Sequence, residues 1–260
     1  MVLLSFDIEE FDMPFEYGKE ITFADQMAIS ISGSEIILDL LKKHGFKATF
    51  FSTATFAIHA PQIIERIKNE GHELASHGYY HSKFDDADLL ASKLKLEELF
   101  GSEVVGFRMP RMMPVDEKAL AAAGYLYNSS INPTWLPGRY NNLHIPRVFF
   151  SIGNVLQLPA SVSPMLRIPL FWLSFHNFPL WLYQHLAKRV YQKDAYLNLY
   201  FHPWEFVDLR DKQRFGFPGY VSKNSGEAMI NRMDRFMAWL TQQDYENCTI
   251  RQFISSVSPF

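Results

Sequence analysis

The alternation of strand-like and helix-like segments is the sequence feature that most limits the fold. Short apolar runs rich in β-branched and aromatic residues are separated by segments with apolar residues at helical spacing. In chain order, strands are predicted at 2–6, 48–52, 73–76, 104–107, 126–130 and 197–201, and helices at 34–45, 61–70, 89–100, 117–123 and 228–242, with a short last element at 249–255. This alternation predicts a parallel sheet wrapped by helices.

Composition indicates one compact domain. A chain of 260 residues, 48% of them hydrophobic, can bury one sizeable core, so we expect a single domain over residues 1–260. The net charge of -3 gives no basic surface for nucleic acid, which we therefore exclude as a partner. The first strand begins at Val2, with no basic or apolar leader before it, and this predicts a cytoplasmic location.

Two histidines follow the third predicted strand. His77 and His81 stand four residues apart, so one helical turn or a tight loop would bring both imidazoles to the same side. Imidazole nitrogens in this arrangement can bind one metal ion, with carboxylates and water completing its coordination. The pair alone is a weak signal, because solvated or buried histidines at this spacing are common.

Polar residues also follow the other predicted strands. The first strand leads into four acidic residues within six positions, which favours a nearby cation or arginine: Asp7, Glu9, Glu10 and Asp12. Arg108 follows the run at 104–107, and His202 follows the run at 197–201. In a β/α barrel these strand ends meet on one face, where such barrels carry out their chemistry.

These segments resemble a known family. Residues 47–51 and 71–81 are similar to the motifs of the NodB-homology polysaccharide deacetylases, carbohydrate esterase family 4. Residues 7–9 and 201–205 resemble the branch associated with exopolysaccharide export. The resemblance implies a distorted (β/α)7-type TIM-like barrel that removes N-acetyl groups from an amino-sugar polysaccharide or its precursor.

The resemblance also implies a metal site. It assigns Glu9, His77 and His81 as ligands of a divalent ion, which would make water nucleophilic by lowering its pKa. Zinc suits this donor set, and cobalt, nickel or manganese would fit as well. Glu10 and Asp12 are rival ligands, and Glu10 could reach the ion if the first strand already ends at Ile8. For both acids we expect a solvated acidic loop instead.

Further roles follow from the same resemblance. Asp7 would be the general base, paired with Arg108, and His202 the general acid that protonates the departing amine. The backbone N–H of Arg111 would hold the oxyanion, which leaves the Arg111 side chain free to contact an acidic part of the substrate.

One position departs from the family pattern. Asn128 stands where relatives usually carry the aspartate that orients the catalytic histidine. Either another acid, such as Glu205, supplies the charge or activity is weak. This departure leaves open a non-catalytic glycan-binding barrel. The resemblance also leaves open a hydrolase of another small amide or ureide, since some members of the superfamily cleave such substrates.

Residues 168–187 contain no Asp, Glu, Lys or Arg. Pro169 and Pro179 argue against a membrane-spanning helix, so a barrel helix with its preceding loop is the favoured interpretation. The alternative is an aromatic patch that makes weak contact with a membrane surface.

Overall fold

A curved parallel sheet forms the centre of the fold. The computed structural model describes residues 1–257. Its strands are β1 (Val2–Ile8), β2 (Ala48–Ser52), β3 (Glu73–Ser76), β4 (Gly106–Phe107), β5 (Tyr127–Asn128), β6 (Trp135–Leu136), β7 (Tyr140–Asn141), β8 (Phe150–Ile152), β9 (Val155–Gln157) and β10 (Leu197–Phe201). The main sheet has the order β10-β1-β2-β3-β4-β5-β9-β8, in which only the β8–β9 pair is antiparallel. Strands β6 and β7 form a separate antiparallel hairpin.

Helices follow most of these strands along the chain. They are α1 (Phe23–His44), α2 (Ala54–His59), α3 (Pro61–Asn69), α4 (Ala87–Phe100), α5 (Glu117–Ala122), α6 (Trp172–Asn177), α7 (Leu180–Asp194), α8 (Lys212–Phe215), α9 (Gly219–Ser222), α10 (Glu227–Gln242) and α11 (Ile250–Val257). Short 3₁₀ turns lie at Met13–Tyr17, Pro110–Met112 and Pro203–Phe206. Seven parallel strands with outer helices confirm the predicted distorted (β/α)7 barrel.

The two edges of the parallel sheet approach each other through Asn198. The N–H of Ser161 donates to the carbonyl oxygen of Asn198 at 2.9 Å. The Asn198 side-chain amide donates to the carbonyl oxygens of Leu158 and Pro159, at 3.2 and 3.1 Å. The segment after β9 therefore meets β10 through irregular hydrogen bonds instead of a strand ladder, which distorts the barrel.

Side-chain alternation along β1 separates the barrel interior from the outer core. Leu4, Phe6 and Ile8 belong to the large hydrophobic cluster, whereas Leu3 belongs to a smaller cluster with residues of the other strands and of α11. Successive side chains in a strand point to opposite faces, so Asp7 shares the interior face with Leu3. Ile8 therefore packs away from the face that carries Asp7.

Helix α1 begins earlier than the sequence pattern predicts. The predicted start at 34 is wrong, because the helix begins at Phe23 and its first turn is capped by Thr22, whose hydroxyl accepts from the Asp25 N–H at 3.1 Å. The small residue Gly33, beside the predicted helix start, lies inside the helix and permits close packing. A Cβ atom on Gly33 would lie 2.0 Å from the carbonyl oxygen of Pro203, so only glycine lets α1 pack against the turn that follows β10.

The charge-poor segment 168–187 forms α6 and part of α7. Phe171, Phe175 and Tyr183 are buried, and Trp181 is exposed. These aromatic side chains thus contribute mainly to the core, as the favoured interpretation expects. Within residues 1–257, no helix combines the length and apolar character needed to cross a bilayer.

Candidate active site

Three potential metal ligands converge where β1 and β3 end. Nε2 of His77 and Nε2 of His81 lie 3.0 and 3.2 Å from Oε2 of Glu9. All three side chains are buried, and one ligand atom from each lies within 4.8 Å of the others. The structure thus brings together the three residues that the sequence assigned to the metal.

Hydrogen bonds on the far side of each ring fix the histidine tautomers. Nδ1 of His77 lies 2.7 Å from the carbonyl oxygen of Arg108, and Nδ1 of His81 lies 2.7 Å from Oδ1 of Asp12. Because a carbonyl and a carboxylate can only accept, each Nδ1 carries a hydrogen, and in the neutral ring Nε2 is the nitrogen whose lone pair faces Glu9. Metal-binding histidines are typically held in this way.

This donor set fits a divalent cation. Oε2 of Glu9 is buried and has no hydrogen-bond partner within residues 1–257. Two imidazole lone pairs and a carboxylate oxygen would repel one another without a cation or a proton between them. Burial opposes protonation of His81, but Glu9 and Asp12 outweigh it and raise the pKa of His81 to about 9. Two nitrogens and one carboxylate oxygen are a donor set that suits zinc.

The two neighbouring acids are not a solvated loop, and that expectation is wrong. Glu10 is 7% exposed and accepts from the Thr53 hydroxyl at 2.5 Å, away from the histidines. Asp12 is 4% exposed and lies between His81 and Arg111. Strand β1 ends at Ile8, yet Glu9 still faces the histidine pair. The geometry therefore favours Glu9 over Glu10 as the carboxylate ligand.

Asp7 and Arg108 form a buried ion pair. Nη1 of Arg108 donates to Oδ1 of Asp7 at 2.6 Å, and the guanidinium also donates to the carbonyl oxygen and hydroxyl of Ser129. The rings of Phe51 and Tyr200 lie 4.0 and 5.0 Å from its central carbon. Burial works against the charged carboxylate, but Arg108, with His77 and His202, outweighs it and holds the pKa of Asp7 below its ordinary value. Asp7 is thus ionised at neutral pH.

His202 lies across the same cleft and is oriented by Glu205. Nδ1 of His202 is 3.1 Å from Oε1 of Glu205, and its Nε2 is 3.8 Å from Oδ2 of Asp7. Burial disfavours the imidazolium, but Glu205 and Asp7 raise the pKa of His202 above its ordinary value. Asn128 instead donates to Gln157 at 3.0 Å and accepts from Ser130. The geometry therefore favours Glu205, and not Asn128, as the side chain that orients His202.

His176, a buried residue of α6, was not among the site residues predicted from the sequence. Its Nε2 lies 2.9 Å from the second oxygen of Glu205. The residue is 26 positions from His202 and belongs to a different element, so no local motif joins the two. The sequence signal that could have pointed to His176 was the presence of a histidine within the charge-poor segment 168–187.

Arg111 occupies the cleft but its side chain is not free, so that expectation is wrong. Its guanidinium donates to Asp12 at 3.1 Å and to Glu16 at 2.7 Å. The backbone of Arg111 has φ 55, in the left-handed region that few non-glycine residues adopt. Within residues 1–257, its N–H takes part in no hydrogen bond, so this donor is available to a ligand.

One cleft joins these groups. It is lined by Asp7, Glu9, His77, His81, Arg111 and His202, together with residues of the β6–β7 hairpin and of α6. Arg108 lies beneath the cleft and is fully buried. Fold and site together define a β/α-barrel protein with a candidate metal centre at the carboxyl ends of its strands.

Comparison with known proteins finds similarity to one family. Residues 20–127 match the family model described as polysaccharide deacetylase. A 66-residue segment is 41% identical to the peptidoglycan-N-acetylglucosamine deacetylase of Bacillus cereus and covers 24% of this chain and 24% of that protein. The matched segments span about a third or less of the curated relatives.

Solved structures share the fold over the whole chain. A probable polysaccharide deacetylase from Pseudomonas aeruginosa PAO1 superposes with a TM-score of 0.69 at 16% identity, covering 100% of this chain and 92% of that one. Puue allantoinase gives the same TM-score of 0.69 at 14% identity, again over 100% and 92%. Because proteins with different names fit equally well, the fold alone does not decide the reaction.

Proposed function

We propose that this chain is a metal-dependent hydrolase that removes N-acetyl groups from an amino-sugar glycan or its precursor. The observation that carries the proposal is the position of a buried Glu-His-His set between an ionised carboxylate, Asp7, and a histidine, His202, in one cleft. The peptidoglycan deacetylase named among the relatives favours an N-acetylated sugar as substrate. The exopolysaccharide branch remains a prediction from the sequence.

The residues that would hold the ion are Glu9, His77 and His81. A divalent cation bound there, with zinc the best match to the donor set, would lower the pKa of water and polarise the acetyl carbonyl. The remaining steps belong to side chains of this chain. Arg108 keeps Asp7 charged and fixed in orientation, so that Asp7 can accept a proton from the attacking water.

Proton transfers complete the reaction. The water oxygen bonds to the acetyl carbon as its proton passes to Asp7, and negative charge develops on the carbonyl oxygen. The N–H of Arg111 is the proposed donor to this oxygen. His202, with its raised pKa, then gives a proton to the amide nitrogen as the C–N bond breaks, which releases acetate and the free amine.

The test is acetate release from N-acetylglucosamine oligomers by protein stripped of metal and reloaded with zinc or cobalt. We expect release only after reloading, and a loss of at least about 100-fold in kcat for Asp7→Asn. Glu16→Gln is the matched control, because Glu16 contacts Arg111 at the rim and has no proposed proton-transfer role. No release despite one bound ion per chain would favour another amide or ureide substrate. Failure to bind any metal would favour the non-catalytic glycan binder.

A further inference from the structure

A buried carboxylate links two imidazoles behind the cleft. Oε1 of Glu205 accepts from the backbone N–H of His202 at 2.6 Å and lies 3.1 Å from its Nδ1. Oε2 of the same carboxylate lies 2.9 Å from Nε2 of His176. The side chains of Glu205 and His176 are both 0% exposed. One carboxylate therefore bridges the proposed general acid and a histidine that does not line the cleft.

The environment of His176 selects one neutral tautomer. Its Nε2 faces a carboxylate, which can only accept, so Nε2 carries the hydrogen. Its Nδ1 is buried and has no hydrogen-bond partner within residues 1–257. A second proton on this ring would leave a charged donor buried without an acceptor, which is costly. The neutral ring with hydrogen on Nε2 therefore leaves the negative charge of Glu205 available to His202.

We propose that His176 is a positioning residue for the general acid, and that its Nε2–H holds Glu205 ionised and directed at Nδ1 of His202. The proposal rests on the proposed function for its catalytic meaning, whereas the hydrogen-bonded chain itself can be tested without turnover. It explains how this protein orients His202 although Asn128 replaces the usual aspartate and bonds elsewhere.

Within residues 1–257, the two histidines, His176 and His202, are the ionisable side chains that pair with the Glu205 carboxylate. The charges of Glu205 and of Arg232 on α10 both act on Tyr183 of α7, and Arg232 donates to the carbonyl oxygen of Phe178. No guanidinium or ammonium of the described chain therefore forms an ion pair with this carboxylate.

The groups facing His202 from the other side are acidic. Asp7 on β1 lies 3.8 Å from its Nε2, and the charge of Glu9 also acts on the ring. The rings of Trp172 and Trp204 pack against it, with centroids 5.7 and 4.8 Å away. Trp172 also packs against His176, with ring centroids 5.8 Å apart. An aromatic replacement of His176 keeps a ring beside Trp172 and changes neither acid, and comparison with Glu205→Gln then tests whether the effect on His202 passes through Glu205.

Removal of the His176 donor has a definite direction. Burial raises the pKa of Glu205 and the hydrogen bonds from His176 and His202 act against burial; the resulting pKa lies below the ordinary value. Without His176, the buried carboxylate is protonated more readily. His202 then loses its anionic partner, and its pKa falls. Because His202 acts in its protonated form, the alkaline limb of kcat moves to lower pH.

The experiment is an NMR titration of the His202 ring in ¹⁵N-labelled protein, with His202→Asn used to assign the signal. We expect His176→Phe to lower the His202 midpoint by about one pH unit, since a partner charge of this kind shifts a pKa by that order. Glu205→Gln should lower it at least as far. His176→Gln keeps a neutral N–H donor near the position of Nε2, and its midpoint should stay close to that of the wild type. The pH at which acetate release declines on the alkaline side should fall for His176→Phe and Glu205→Gln, and should stay close to the wild-type value for His176→Gln.

Two results would overturn the proposal. One is that Glu205→Gln lowers the midpoint of the His202 ring titration, whereas neither His176 variant changes it. The other, measured in wild-type protein and so independent of variant folding, is a His176 ring that carries hydrogen on both nitrogens at pH 7. If the wild type releases no acetate, the proposed function fails while the titration still decides the role of His176.

Discussion

At the scale of single residues, the site depends on side chains that hold the proposed metal ligands and proton-transfer groups in place. Asp12 does not reach the proposed ion position, but it accepts from Nδ1 of His81 at 2.7 Å and so turns the other nitrogen toward Glu9. Arg108 likewise holds Asp7 in place, because its Nη1 donates to Oδ1 of Asp7 at 2.6 Å. Such supporting hydrogen bonds fix tautomer and charge, and both determine metal affinity and proton transfer.

We expect Asp12→Asn to weaken zinc binding by roughly 10- to 100-fold, the usual effect of losing a carboxylate behind a histidine ligand. The amide oxygen can still accept from His81 but carries no charge. Zinc affinity is measured by competition with a chromophoric chelator. Glu16→Gln is the control, because Glu16 also pairs with Arg111 yet does not contact His81. Equal affinities for the two variants would contradict this role of Asp12.

The proximity of Glu9, His77 and His81 could be predicted from the sequence, because the signals were local. His77 and His81 belong to one short motif, and Glu9 lies two positions after Asp7. The burial of Glu10 and Asp12 could not be predicted, because their partners, Thr53 and Arg111, lie about 43 and 99 positions away. Charge pairing between distant segments depends on the packed structure.

At the scale of helices and strands, α1 supports the turn that follows His202, the proposed general acid. Gly33 lets the helix backbone contact Pro203, the residue directly after His202. A glycine inside a helix is ordinarily destabilising by about 1 kcal/mol relative to alanine, so close packing is the reason to retain it here. The position of His202 thus depends on a helix that forms no part of the cleft.

Gly33→Ala should lower the free energy of unfolding by about 1–3 kcal/mol, because overpacking against a backbone carbonyl outweighs the gain in helix propensity. Chemical denaturation measures this change. Gly219→Ala is the matched control, since no atom lies within 4 Å of a Cβ added there. An unchanged or higher stability for Gly33→Ala would show that α1 does not need this close contact.

Element prediction was accurate where periodicity was strong. The bounds of β2 and β3 agree with the predicted strands at 48–52 and 73–76. The hairpin β6–β7 and the antiparallel strand β8 were missed, because strands of two or three residues are too short to show alternation. Helix α2, six residues long, was missed for the same reason.

At the scale of the whole molecule, stability should depend on pH through a histidine remote from the cleft. His72 is 7% exposed, and its Nδ1 accepts from the Ala48 N–H at 3.2 Å. Burial is the main reason that the pKa of His72 falls to about 4, and Lys47 lowers it further. The ring is therefore neutral in the folded chain at pH values where the unfolded chain already binds a proton.

The folded protein should lose stability as pH falls from about 6.5 toward 4, by an amount on the order of 3 kcal/mol attributable to His72. The stability is fully present above pH 6.5, because neither state then binds the proton. His72→Asn keeps an acceptor for Ala48 without titrating, so its stability should fall less over the same window. Denaturant unfolding at pH 7 and pH 4.5 measures the difference; identical losses in the two proteins would exclude His72 as the source.

The central claim is that Glu9, with His77 and His81, holds a divalent ion. The most direct measurement is the zinc content of Glu9→Gln and Glu10→Gln after zinc loading and dialysis, since these adjacent buried acids differ in whether they face the histidines. We predict about one zinc per chain for the wild type and for Glu10→Gln, and nearly none for Glu9→Gln. Zinc retained by Glu9→Gln and lost from Glu10→Gln would contradict the account.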